Sequence, residues 1–236
     1  MTLAMKRVSA IIQKEWKDSS KNPVLLLTAV IPVIFAFLFR SEQSVGASVL
    51  TMPMNMALSI TGAFVQAMMV AEEKEKHTLR VLMLSPAKPI EVLLGKSAIS
   101  AIMTVSAVIL SILIANTPSI NLVSFLLLLI PNIVMYLALG TLIGLMSRTS
   151  METSFLGMPL LLIFLMGPMF GALLNSEAVN IAIGYLPTEQ MAAACDILWN
   201  GGSLTDIWSH IGVTFIWAVA SVLLCIIVYR AKRYDA

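Results

Sequence analysis

Residues 45–76 read VGASVLTMPMNMALSITGAFVQAMMVAEEKEK. The first 27 contain no Asp, Glu, Lys or Arg, and the last five contain nothing else. A charge at mid-helix costs roughly 2.5–3.5 kcal/mol on insertion into a bilayer. A charge-free run of this length ending in a charged collar is therefore the mark of a membrane crossing that stops at the headgroups. The run shows no apolar–polar alternation, so the crossing is a helix and not a barrel strand.

Five further charge-free runs lie on either side, at Val24–Phe39, Ser97–Asn116, Ile120–Ser147, Thr153–Asn175 and Ile211–Tyr229. A crossing needs about 20 apolar residues. Val24–Phe39, with 16, is slightly short and borrows from its flanks. The composition agrees: 58% of the 236 residues are hydrophobic and 12% charged. Mean hydropathy is +0.91, whereas an ordinary soluble chain is about a quarter charged. Soluble, disordered and disulfide-scaffold classes are excluded. Cys225 lies within the last run and Cys195 has no partner, so both read as structural thiols. The net charge of +2 is not gathered on a soluble module, which excludes nucleic acid as a partner.

Fourteen of the 15 Lys and Arg fall in alternate segments: the N-terminus, the loop after the second run, the loop at Arg148 and the tail. The positive-inside rule places these segments and both termini in the cytoplasm. The expected architecture is an all-α integral membrane protein. Residues 1–22 form an amphipathic interfacial helix with Val8, Ile11, Ile12 and Trp16 on one face. Residues 23–229 form a six-helix transmembrane domain, and residues 230–236 a cytoplasmic tail. The n-region of 22 residues is long for a signal peptide.

Two polar segments stand out. The cytoplasmic loop, residues 72–96, continues the second span as a charged helix and places Leu79, Leu82 and Met83 on one small apolar face. That face either docks on a partner or lies back on the membrane. The outer loop, residues 176–210, has no Lys or Arg; between Pro187 and Asn200 it encodes a short helix, re-entrant or interfacial.

Catalytic signatures fail. Gly95-Lys96-Ser97 resembles the end of a phosphate loop, but Ile90 stands where its first Gly belongs. Glu72-Glu73 begins like an intramembrane protease signature, yet His77 replaces the required Arg. His77 and His210 are the only histidines and both sit at span edges; no cluster has metal-ligand spacing. The chain reads as a non-enzyme with no metal and no cofactor. With no ionisable residue inside a span, polar lining has to come from Asn55, Gln66, Asn132, Tyr136, Ser and Thr. That favours an external energy source or a largely apolar cargo over ion-driven transport.

Three stretches together resemble an ABC-2-type ABC transporter permease. The first is Lys14-Glu15-Trp16-Lys17-Asp18 with Lys21-Asn22-Pro23. The second is Glu73-Lys74-Glu75-Lys76-His77-Thr78-Leu79-Arg80, then Ser85-Pro86 and Gly95-Lys96, with His77 where the family has Gly. The third is Leu186-Pro187-Thr188, with the basic tail after the last span. The resemblance implies the membrane subunit of an exporter in the inner membrane. It would work as a dimer, expected to be a homodimer, with two copies of a cytoplasmic ATPase that supplies ATP and Mg. It implies a coupling helix docked on that ATPase, with Glu73, Glu75, Thr78, Leu79, Leu82, Met83, Ser85 and Pro86 at the interface. It also implies a substrate path lined by spans two and five, pointing to Asn55, Ser59, Gln66, Gly167 and Gly171. The alternative is a non-transporting membrane subunit, for immunity or sensing, that binds a peptide or partner protein.

Overall fold

The computed structural model describes residues 3–41, 47–76, 89–115, 121–174 and 176–234. Among them every regular element is helical. The first, α1 (Leu3–Ser19), meets α2 (Pro23–Leu38) at 85°. The corner is encoded locally. The Asn22 side chain accepts from the amides of Val24 (3.1 Å) and Leu25 (3.4 Å), and Pro23 occupies the first helical position, where its missing N–H is no loss.

Five helical stretches are long and apolar enough to cross a membrane: Thr51–Glu75, Gly95–Ala115, Leu122–Met146, Ser150–Gly167 and Leu204–Ala231. The 16-residue α2 reaches that standard only when counted with α1. The chain is a membrane protein with several apolar helices, five or six of them candidate spans.

The second span is the axis of the fold. It runs as α3 (Ala47–Met56), a π-helical segment (Ala57–Phe64) and α4 (Val65–Glu75). It is the most enclosed candidate span, with 83% of its apolar window buried. Around it stand α2, α5 (Pro89–Ala115), α6 (Leu122–Met146) and α7 (Ser150–Leu174). The close fit of α6 depends on Gly140 and Gly144. A Cβ at Gly140 would collide with the Ala63 carbonyl, and one at Gly144 would stand 2.7 Å from the Ala67 carbonyl oxygen. This small-residue pair thus joins two spans of one subunit. A polar knot lies alongside. Gln66 accepts from the Ser100 hydroxyl (2.6 Å) and its Nε2 reaches Ser97 (3.2 Å) and Thr141 (3.0 Å), tying the second span to the third and fourth.

The chain end of α10 (Trp208–Tyr234) packs Cys225 and Tyr229 against Val70 and Leu145, at the same end of the bundle as α1. The opposite end is closed by α8 (Glu177–Gly184) and α9 (Pro187–Trp199). Met191, Ala194 and Cys195 of α9 are fully buried. Asn55 donates to the Thr188 carbonyl (3.2 Å), and the Thr188 hydroxyl donates to the Phe164 carbonyl (2.6 Å). Gly201, at φ +84°, turns the chain out of α9 through a conformation that side chains with a Cβ resist. The short helix α9 is therefore packed against the bundle through these residues.

Candidate functional site

The charged collar after the second span resolves into four separate attachments, with Lys76 paired back to Glu72. Successive residues on a helix point about 100° apart, so Glu72 to Lys76 radiate toward every neighbour of α4. Glu72 accepts from Asn22 Nδ2 (3.2 Å) and pairs with Lys76 (2.5 Å). Glu73 is ion-paired with both Lys14 of α1 and Lys96 of α5. Lys74 donates to the carbonyls of Leu145 (2.8 Å) and Ser147 (2.7 Å), placing a cation at the negative end of α6. Glu75 accepts from the amide (3.0 Å) and hydroxyl (3.2 Å) of Ser150, placing an anion at the positive start of α7.

The Glu73 attachment is part of a four-membered ring of alternating charge. Lys96 also pairs with Glu15 at 3.2 Å, and Lys14 stands 3.6 Å from Glu15. Asp18 adds a looser contact to Lys14 at 3.7 Å. Glu15, Glu73 and Lys96 are only 3%, 6% and 2% exposed. Burial pushes the Glu15 carboxyl above the ordinary carboxylate range, against the pull of Lys96. On the exposed rim, the hydrogen bond to Glu72 raises the Lys76 ammonium. Buried charges are tolerable only when matched in this way. The ring closes at short range because Gly95 has no side chain: a Cβ there would lie 2.8 Å from Ile11 of α1.

Motifs far apart in the chain thus meet at one point. Lys14-Glu15, Asn22-Pro23, Glu72 to Lys76 and Gly95-Lys96 form one cluster, with partners 59 and 81 residues apart for Lys14–Glu73 and Glu15–Lys96. Glu73 and Lys96 stand on either side of residues 77–88 in the chain, and their ion pair joins the end of α4 to α5. Thr78, Leu79, Leu82, Met83, Ser85 and Pro86 lie outside the described residues. Glu73 faces inward to the ring, and Glu75 is exposed at the start of α7. The sequence offered one signal for the ring, oppositely charged residues at three span edges, but not their pairing.

The expected path residues are interior. Asn55 and Ser59 are buried beside Thr188 and Tyr136, respectively, and the Asn55 Oδ1 has no hydrogen-bond partner among the described residues. Gln66 is occupied by its knot of hydroxyls. Gly167 lies beneath Leu186, 2.6 Å from where its Cβ would be. Gly171 is carried on α7, and its surroundings lie outside the described residues. Among the described residues no group of His, Cys, Asp and Glu is arranged to hold a metal ion.

The cluster is built from ion pairs and hydrogen bonds between helices. It binds α1, α2, α5, α6 and α7 to the end of the axial span. A family model described as "ABC-2 family transporter protein" matches residues 4–227. No curated protein matches the chain.

Proposed function

Since the chain belongs to the ABC-2 family of transporter proteins, a family of transmembrane permease domains, we propose that it is the permease subunit of an ATP-driven exporter. Two copies form a homodimer and bind two copies of a cytoplasmic ATPase, which holds ATP and Mg. The Lys and Arg asymmetry orients the charged end, with both termini, toward the cytoplasm of the inner membrane.

The observation that carries this reading is the ring. Glu73 and Lys96 flank residues 77–88 in the chain, and those two side chains are paired with each other and with Lys14 and Glu15 of α1. Nucleotide-driven closure of the ATPase pulls on Thr78 to Pro86. Because Lys74 and Glu75 hold the ends of α6 and α7, the pull is passed to the fourth and fifth spans as well as the second. Buried ion pairs make this base stiff, so the load moves helices as bodies. The subunit interface then shifts between inward- and outward-facing states through the contacts that differ between them. Asn55 and Ser59 mark the polar stretch of the axial span along which the path opens.

Leu79→Asp or Leu82→Asp tests the assignment. Each is expected to leave membrane insertion and melting temperature intact while ATPase stimulation and transport by the assembled complex fall together. Full stimulation in both variants would overturn the docking role of the loop.

A further inference from the structure

Lys17 and Lys21 are the cations of the N-terminal corner that the ion-pair cluster does not use. Both are exposed, and neither side chain has an ion-pair partner among the described residues. Their chain neighbours Trp16 and Ser20 line a cleft of about 370 Å³ between α2 and α5. Its walls are apolar, formed by Val30 and Val33 on one side and Met103 and Leu110 on the other. Its mouth, at the corner with α1, is lined by Trp16 and Ser20, and Trp16 is 58% exposed. The 85° corner fixes the geometry. If α2 crosses the bilayer, α1 lies along the interface and the cleft descends from the headgroups into the hydrocarbon.

From this geometry we infer that the cleft is a binding site for one anionic phospholipid. An acyl chain lies between α2 and α5, and the headgroup phosphate sits at the corner beside Ser20, Lys17 and Lys21. Occupancy is selective because of the headgroup. An acyl chain gains little by leaving other acyl chains for an apolar wall, so the cleft orients the lipid without choosing it. Each basic residue near a membrane surface favours an anionic lipid about fivefold, and two give roughly 30-fold. Trp16 suits the boundary, with an apolar ring and a polar N–H at headgroup depth. The site rests only on the membrane-spanning reading and is independent of any ATPase partner.

Trp16 supplies the probe. Trp199, Trp208 and Trp217 belong to α9 and the start of α10, at the other end of the bundle. The full chain is reconstituted in phosphatidylcholine vesicles, and bromine-labelled phosphatidylglycerol or phosphatidylcholine is titrated in. The Trp16 signal is the difference between wild type and Trp16→Phe. Half-quenching is expected at a mole fraction of phosphatidylglycerol roughly 30-fold below that of phosphatidylcholine. Lys17→Gln with Lys21→Gln brings the two lipids to parity. Ala29→Phe, which fills the cleft and keeps both lysines, does the same. Equal quenching in the wild type overturns the site. So does a preference that survives Ala29→Phe, since charge at the surface would then account for it without the cleft. Trp16 shielded from both lipids would mean that a second copy of the chain or another protein covers the cleft, which also overturns it.

Discussion

Replacing Lys96 with Met removes one corner of the ring. The side chain is 3% exposed and contacts both Glu73 and Glu15. Leaving a buried partner uncompensated costs about 3–5 kcal/mol. Lys14 remains against both carboxylates, and its own side chain is 39% exposed, so the loss falls at the lower end, about 3 kcal/mol. For a domain of this size that corresponds to a melting point lower by roughly 6–12 °C. The sharper test is a charge swap. Exchanging only Glu73 and Lys96, as Glu73→Lys with Lys96→Glu, restores their mutual attraction. It also sets the new Lys against Lys14 and the new Glu against Glu15. In a four-membered ring the double swap therefore melts well below wild type. Reversing all four, with Lys14→Glu and Glu15→Lys added, recovers part of the loss. Scanning fluorimetry on the purified subunit reads each variant. A double swap that melts with the wild type would show an isolated pair and refute the ring.

Gly140→Ala drives a methyl into the Ala63 carbonyl and is expected to cost about 1–3 kcal/mol; an unchanged melting point would mean that α6 and the second span are not in contact there. Gln66→Leu leaves the Ser97, Ser100 and Thr141 hydroxyls without the amide, costing about 1–3 kcal/mol. Ser100→Ala should cost less, and the reverse order would argue against Gln66 as the hub. Asn22→Ala loses the cap of α2 and its bond to Glu72, with about 1 kcal/mol expected from the cap alone. Asn22→Asp should keep the cap but repel Glu72, so it rescues only in part; full rescue would discount the Glu72 contact. Cys195 and Cys225 are both buried, and a polar maleimide should label them only after denaturation.

The helical, membrane-spanning character was legible because charge is too costly in hydrocarbon for its absence to be accidental. Asn22-Pro23 stood in the sequence only as part of the family resemblance, and the corner they make comes from the cap bonds to Val24 and Leu25. The ring was not legible: Lys14, Glu15, Glu73 and Lys96 each read as ordinary interfacial charges, and only the packing of α1 on Gly95 brings them together. Glu73 in particular carries a motif position that reads as surface and is buried in the ring. Gly140 and Gly144 stand four residues apart in the sequence, but that spacing does not identify the facing helix. The π-helical turn at Ala57–Phe64 left no mark in composition, since widening a helix by one residue per turn needs no special side chain. The packing of α9 was not legible either: the contacts of Asn55 and Phe164 with Thr188 tie it to the second and fifth spans.

The claim that this permease works through a separate ATPase is tested most directly by its composition in native membranes. A tagged copy is extracted in mild detergent, and the mass of the intact complex is measured with its components identified. Two permease chains with two P-loop ATPase chains is the expected result. A folded, intact permease recovered reproducibly without an ATPase would contradict it, and residues 77–88 would then be an attachment point for some other partner.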